Sequence, residues 1–250
     1  MALADPILEI AANSVASALA AQDGGAARVE LCSALELGGL MPSHATIALA
    51  RERLRIPLYV LIRPRAGDFL YDDLELEIMQ RDIEACAALG CDGVVLGALD
   101  ADGNVDTVCC QKLIAKAGGM GVTFHRAFDC ARDPHGALED IIALGCERVL
   151  TSGQRETAMQ GAALIRELID QARGRTAVMP GAGITSGNIA EVAAVTGARE
   201  FHASAKCRLP SRMSHCPILH EMAEGELRSD AAEIRAMLRA LRTNTTPEGA

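Results

Sequence analysis

The chain has 250 residues, half of them hydrophobic, and its 33 acidic and 24 basic side chains give a formal net charge of −9. This acidic balance argues against nucleic acid or an anionic membrane as a partner, since both require clusters of basic residues. No stretch approaches the roughly 18 apolar residues of a membrane span, and no signal peptide is evident, so we expect a cytoplasmic protein.

Short apolar runs alternate with amphipathic segments along the whole chain. Each run is typical of a buried strand, and each is followed by a polar or glycine-rich loop. The predicted strands are Ile7–Ala12, Arg28–Ser33, Pro57–Ile62, Gly93–Leu99, a run from Gly121 to Phe124, Arg148–Gly153, Thr176–Met179 and Glu200–Lys206.

A helix is predicted after each strand. Asn13 or Ser14, Ser43 and Asp133 are the predicted N-caps, and Pro134 occupies a first helical position. The predicted helices run from Ser14 to about Gly24, Ser43 to about Leu54, Asp73 to Leu89, Asp106 to Lys116, Pro134 to about Gly145, Met159–Ala172, Asn188–Thr196 and about Ala231–Arg242.

Eight strand–helix units without a linker favour a single (β/α)8 TIM barrel, an α/β fold with a parallel eight-stranded barrel inside a ring of helices. The domain is expected over residues 1–242, and 243–250 has the composition of a disordered tail. A doubly wound open sheet is the alternative. It would more usually contain fewer strands, and the first turn lacks the GxGxxG motif of a Rossmann fold.

Polar side chains are concentrated where the predicted strands end. In a (β/α)8 barrel these carboxyl ends hold the functional site. The candidates are Glu9, Glu30, Cys32, Arg63, Arg65, His125, Arg126, Ser152, the Gly181–Gly183 loop, His202, Ser204 and Lys206.

Three kinds of site fit these candidates. Cys32, His125 and His202 offer the donors that Cu(I) prefers. Acid–base chemistry on a small anionic substrate would use Glu30 or His125 as the acid–base group and Arg63 as the anion clamp.

A phosphate site is the third possibility, because barrels often bind phosphate at the loops after strands seven and eight, where Gly181, Gly183 and Ser204 lie. Glu9, Arg65 and His202 would be further substrate contacts. A structural alternative stands beside all three: Arg63 pairs with Glu9 or Glu30 in a buried ion pair, and Arg65 and Arg126 tether loops.

The nine cysteines are an odd number, and none forms a CxxC pair, so we expect reduced thiols. Most of them are explained as small buried hydrophobic residues. In the loop after the last strand, the spacing of His215 and Cys216 allows a metal clip with His202, although most such pairs have no function.

Six segments stand out together, and two of them, Ile62–Tyr71 and Phe124–Asp129, carry the dense patterns Arg-Pro-Arg-x-Gly-Asp-Phe and Phe-His-Arg-Ala-Phe-Asp. The other segments are Glu30–Cys32, Gly38–Ser43, Leu150–Gly153 and Glu200–Ser204. Taken in their order along the chain, the six segments resemble the CutC family of copper homeostasis proteins.

The resemblance implies a cytoplasmic (β/α)8 barrel with a role in copper handling that assembles as a homo-oligomer, a dimer or tetramer. It also implies a shared pocket of Glu9, Glu30, Cys32, Arg63, His125 and His202. The family often has a cysteine two residues after its first-strand glutamate, where this chain has Ala11. An arginine in the pocket repels a cation and favours an anion, so an enzyme acting on a small anion is the alternative to copper binding.

Overall fold

The computed structural model describes residues 6–215 and 225–243, and its centre is a parallel barrel of eight strands. The strand order is β7-β6-β5-β4-β3-β2-β1-β8, and the two end strands, β7 and β8, lie side by side and complete the barrel. The predicted barrel is confirmed, and the open doubly wound sheet is excluded. The strands are β1 Ile7–Ala12, β2 Arg28–Leu31, β3 Leu58–Leu61, β4 Gly93–Leu96, β5 Gly121–Phe124, β6 Arg148–Thr151, β7 Ala177–Pro180 and β8 Glu200–Ala203.

The helices surround the barrel, and the apolar core lies between helices and strands. They are α1 Val15–Gly24, α2 His44–Arg53, α3 Asp73–Ala88, α4 Thr107–Ala117, α5 Pro134–Ala143, α6 Ala162–Ala172, α7 Ile189–Thr196 and α8 Ala231–Thr243. Two short 3-10 helices cover Leu35–Leu37 and Arg126–Cys130. In the described part of the chain, no helix is long and apolar enough to cross a membrane.

The predicted helix starts are confirmed by side-chain capping. Ser14 Oγ accepts a hydrogen bond from the Ser17 amide at 3.1 Å, and Ser43 Oγ accepts one from the Thr46 amide at 3.2 Å. Asp133 accepts one from the His135 amide at 3.0 Å. Such caps satisfy amides that have no partner inside the helix.

Strand eight is shorter than predicted. It ends at Ala203, and Ala205 has a positive φ of 45°, which turns the chain away from the barrel. Lys206 therefore begins an unpredicted antiparallel hairpin of β9 Lys206–Arg208 and β10 Leu227–Ser229.

Other boundaries differ by a few residues. The strands predicted to end at Ser33, Leu99 and Gly153 end two or three residues earlier, because the last residues of these segments leave the parallel ladder and form loops. Helix α6 begins at Ala162, after a turn that contains the predicted start at Met159. Thr243 belongs to α8, while the rest of the predicted tail, 244–250, and Cys216 lie outside the described residues.

Candidate active site

A cavity of about 530 Å³ opens at the carboxyl end of the barrel strands. Its wall contains side chains from β2, from the loops after β3 and β5, and from β8. The polar ones that bear on its chemistry are Glu30, Arg63, His125, His202 and Lys206. The strand ends thus bring together residues that are far apart in the sequence.

Glu9 lies beneath the cavity and links two of its neighbours. Its carboxylate receives the Arg28 guanidinium on one oxygen, and the other oxygen lies 2.7 Å from His202 Nδ1. The strand register explains this contact, because Glu9 pairs with Arg28 on β2 and with His202 on β8. Residues paired in register point to the same side of the sheet.

The contact between Glu9 and His202 shifts the pKa values of both groups. Burial alone would raise the pKa of Glu9, but the His202 hydrogen bond and the Arg28 charge lower this pKa to about 2. Burial also lowers the pKa of His202, yet the negative charges of Glu30 and Glu9 and the hydrogen bond to Glu9 raise it overall. Nδ1 of His202 is used by the contact with Glu9, so Nε2 is the ring nitrogen that remains for another partner in this cavity-lining residue.

Glu30 is buried and has no partner for one of its oxygens. Its side chain lines the cavity, and Oε2 has no hydrogen-bond partner among the described residues. Burial, followed by repulsion from Glu9, raises the pKa of Glu30 to about 7 against the opposing effects of His202 and Arg28. A carboxyl group with this pKa gives up and takes back a proton near neutral pH.

His125 is a neutral hydrogen-bond donor. Its Nδ1 accepts the Ala127 amide at 3.1 Å, so the ring proton resides on Nε2. Nε2 is buried without a partner in the described part of the chain. Burial and the nearby Arg63 charge lower the pKa of His125 to about 3, which keeps the ring neutral.

Arg63 is held mainly by backbone carbonyls. Its Nη1 donates to Leu37 and Gly39, and its Nη2 donates to Gly67 at 2.8 Å. The guanidinium lies 5.0 Å from the centre of the Phe69 ring. Its Nε has no partner in the described structure, so one N–H and the positive charge remain for a ligand.

The predicted structural ion pair forms with a different arginine. Glu9 contacts Arg28 and not Arg63, because Arg28 begins the neighbouring strand in register with it. Arg63 lies higher, at the tip of β3, where loop carbonyls take its donors.

The three predicted copper ligands are not brought together. Within the described residues, the group that could hold a metal is Glu9, Glu30 and His202, whose ligand atoms lie within 4.8 Å of one another. Cys32 shares the inner face with Glu30 but packs among apolar side chains. Burial, together with Glu30 and Glu36, raises the pKa of the Cys32 thiol, so its thiolate is disfavoured.

Arg65 and Arg126 tether loops near the rim. Arg65 pairs with Asp68 at 3.0 Å and with Glu75. Arg126 lines the cavity and donates to Asp129 at 2.7 Å and to the Ser152 hydroxyl at 2.9 Å. Both arginines therefore have the loop-tethering contacts that the sequence allowed.

The loops after β7 and β8 form the opposite wall of the cavity. Gly183 and Ser204 line it, and Lys206 lies at its exposed rim. Gly181 lies behind this wall, where a Cβ atom would come 2.4 Å from Leu150. Glu233, on α8, also lines this wall.

Sequence reasoning missed Arg28, Arg148 and Asp129. Arg28 and Arg148 begin β2 and β6, and strand alternation places Arg28 on the same inner face as Glu30. This alternation could have indicated Arg28, but Arg28 lies at the amino end of its strand, whereas the site is expected at the carboxyl ends. Asp129 accepts hydrogen bonds from the tip of β6, a contact that no local pattern indicates.

Known proteins share both the sequence and the fold. The model of the CutC family matches residues 6–207. A CutC family protein of Xylella fastidiosa is 57% identical over 235 residues, covering 94% of this chain and 88% of the relative. A mouse protein described as a copper homeostasis protein cutC homolog is 48% identical over 207 residues, covering 83% and 76% of the two chains.

A solved structure of CutC from Streptococcus agalactiae matches with a TM-score of 0.77 and 32% sequence identity, covering 80% of this chain and 98% of that one. The family resemblance of the six sequence segments is thus confirmed. By its sequence and its barrel, the chain belongs to the CutC family.

Proposed function

We propose that the cavity is the active site of an enzyme that moves a proton on a small anionic substrate. The observation that carries this proposal is a pair of buried polar atoms without a partner in the described residues, Glu30 Oε2 and His125 Nε2, on two side chains that line the cavity. Buried polar groups normally have a partner, so two such atoms on side chains around one cavity indicate a ligand that supplies it.

The two groups suit complementary roles in one reaction. Glu30, with a pKa near 7, takes a proton from a carbon next to a carbonyl group of the substrate. The electron pair of the broken C–H bond moves to the carbonyl oxygen, which becomes an enolate and accepts the His125 N–H. Return of the proton from Glu30 to another position completes an isomerisation without a further reactant.

Arg63 supports an anionic substrate. Its charge is fixed beside His125 by the three loop carbonyls, and its Nε–H has no partner among the described residues. A carboxylate or enolate at this place gains a charge-assisted hydrogen bond. The raised pKa of His202, another residue of the cavity wall, favours its positively charged form.

A second candidate function is metal binding, and the cluster of Glu9, Glu30 and His202 favours it. Two relatives carry names that refer to copper homeostasis or to CutC, which makes copper the first metal to test. Two carboxylates and one imidazole suit Cu²⁺ or Zn²⁺ better than Cu(I), which prefers sulfur. Binding would require Glu9 to give up part of its contact with Arg28.

One screen separates the two functions. The reduced, metal-free protein is melted with Cu(I), Cu²⁺, Zn²⁺ and a panel of small hydroxy and keto acids with and without phosphate. A ligand that prefers the folded state raises the melting temperature. We expect an organic acid to do so, and the shift should vanish in Glu30→Gln and His125→Ala but persist in the matched variant Cys32→Ser.

The outcomes point in different directions. A copper shift that is lost in His202→Ala and retained in His125→Ala would support the metal cluster. A Cu(I) shift lost only in Cys32→Ser would support the thiolate site that the sequence suggested. If no acid stabilises the wild-type protein at any concentration tested, the enzyme proposal fails.

We also propose that the protein is cytoplasmic and assembles with copies of itself. Free thiols at all cysteines in the described residues support a reducing compartment. The exposed apolar side chains of Leu74 and Ile78 lie one helical turn apart at the start of α3, and the exposed Leu70 lies in the loop just before it; together they support an assembly surface. Sedimentation that shows a monomer at every concentration would contradict the assembly.

A further inference from the structure

The loop after β7 is hydrogen-bonded to a carboxylate of the same chain, that of Glu233. The Glu233 carboxylate, from the first turn of α8, accepts the Ser186 amide at 2.7 Å and the Ser186 hydroxyl at 2.9 Å. Each carboxylate oxygen takes one of the two hydrogen bonds. The preceding amide, that of Thr185, is taken by the Asn188 side chain at 2.8 Å. The donors of Thr185 and Ser186 are therefore already in use.

This is the place where many (β/α)8 barrels bind phosphate. Loops after strands seven and eight provide backbone amides and hydroxyls to such groups. Here Ser186 offers an amide and a hydroxyl, and Gly183, three residues earlier in the same loop, has a φ of 71°, a conformation that favours glycine. The Glu233 carboxylate occupies both of the Ser186 donors.

We propose that Glu233 is a specificity-determining residue that excludes phosphate from the β7–β8 end of the cavity. Glu233 lines the cavity, so a phosphate there would meet a negative charge, and it could use the Ser186 donors only by displacing the Glu233 carboxylate. Such like-charge contact disfavours binding. This inference deepens the proposed function and rests on it in one respect, namely that the cavity receives a ligand. It assigns that ligand to unphosphorylated small acids.

The position of the positive charges agrees with this assignment. Arg63 lies at the tip of β3, beside His125, and it is the buried cation with an unpartnered N–H on the cavity wall described here. At the β7–β8 end, Lys206 is exposed at the rim, and the acidic Glu233 lines the same end of the cavity. A single anionic group of the ligand is thus drawn toward Arg63 and not toward the β7 loop.

The test is phosphate binding measured by isothermal titration calorimetry with inorganic phosphate as the probe. Glu233→Ala removes the charge and opens the space beside Ser186, and we expect it to bind phosphate at least about tenfold more tightly than wild type. Glu233→Asp keeps the charge and is the matched control, for which no such gain is expected. Thermal melting of both variants checks that they fold.

Two results would overturn the inference. One is wild-type protein that binds phosphate as tightly as Glu233→Ala, and the other is a Glu233→Ala variant that gains nothing. The titration is repeated in a Glu30→Gln background, where the gain should be unchanged because Glu30 lies at the other wall of the cavity. If the acid–base role of Glu30 is wrong, the gain in phosphate affinity on Glu233→Ala is still expected. If phosphate exclusion by Glu233 is wrong, the loss of the organic-acid thermal shift in Glu30→Gln is still expected.

Discussion

Glu30 combines burial, a neutral-range pKa and an unpartnered oxygen, which is an unusual combination for a purely structural carboxylate. Its neighbours explain the combination. Glu9 is the carboxylate that stays ionised, because Arg28 and His202 neutralise it. Glu30 has no such direct partner and lies close to that ionised group, so its proton is retained to a higher pH. Two carboxylates whose pKa values are driven apart in this way are typical of acid–base sites.

This difference predicts how stability depends on pH. The folded protein keeps the Glu30 proton up to about pH 7, while a carboxyl group with the ordinary value of 4.5 releases it earlier in the unfolded chain. The folded state then binds more protons between these values, so the free energy of unfolding falls as the pH rises through this window. Relative to Glu30→Gln, wild type should lose up to about 3 kcal/mol between pH 4.5 and pH 7.

Urea unfolding of both proteins at a series of pH values measures this loss. Because the substitution is nearly isosteric, the difference in unfolding free energy between the two proteins reports mainly the Glu30 proton. Curves that remain parallel across this pH range would show that Glu30 titrates as an ordinary carboxyl group, and the acid–base role would lose its support.

At the scale of elements, the order of strands and helices follows from the sequence, but their ends do not. Buried strands need continuous apolar runs, and helices need caps, so Ser14, Ser43 and Asp133 mark helix starts correctly. Strand ends depend on which loop the chain enters. Leu99, for example, is apolar like the strand before it, yet it belongs to a loop where its amide pairs with the Phe69 carbonyl.

Asp129 shows a connection between elements that sequence patterns cannot reveal. It lies in the 3-10 helix after β5, and its carboxylate accepts the Thr151 hydroxyl at 2.6 Å and the Ser152 amide at 3.0 Å, both at the tip of β6. It also pairs with Arg126 at 2.7 Å. The aspartate therefore fixes the loop that follows His125 to the neighbouring strand.

We predict that Asp129→Ala destabilises the protein by about 3 kcal/mol, because several buried donors lose their acceptor at once. The measurement is chemical denaturation, with Asp102→Ala in the exposed turn after β4 as the charge-matched control. The variant should also lose part of any ligand-induced thermal shift, since the loop that positions His125 loosens. A change no larger than that of the control would contradict the tethering role.

At the scale of the whole molecule, the barrel interior has two polar levels. The upper level is the candidate site, and the sequence predicted most of its members because the fold places strand ends together. The lower level contains Arg28, Arg148, Glu200 and Tyr59. Its function could not be predicted from strand ends alone, since its charges lie near the opposite ends of the strands.

Tyr59, on β3, fits into this lower level because the next two strands, β4 and β5, begin with glycine. A Cβ atom at Gly93 would come 2.1 Å from the Tyr59 ring, and one at Gly121 would come 2.1 Å from its hydroxyl. The ring lies 5.3 Å from the Arg28 guanidinium carbon and 5.0 Å from that of Arg148. The aromatic face thus helps to accommodate two cations inside the barrel.

Glu200 connects these two cations across the interior. Its Oε2 accepts Arg28 at 2.9 Å and Arg148 at 3.1 Å, so one carboxylate on β8 holds arginines from β2 and β6. Strand β8 lies at one end of the sheet order, and β7 lies at the other. The ion pairs therefore stabilise the barrel near the place where the order of strands closes.

We predict that Glu200→Gln destabilises the protein by about 3 kcal/mol, since it leaves two buried arginines without their shared counter-charge. Glu77→Gln, which removes one partner of an exposed ion pair with Arg81 on α3, is the matched control and should change stability little. Added salt should not reproduce the loss in wild type, because buried pairs are screened far less than exposed ones. Equal losses of unfolding free energy for the two substitutions would mean that Glu200 does not hold the barrel closed. The contact of Arg28 with Glu9 would then be enough to compensate the buried charge of Arg28.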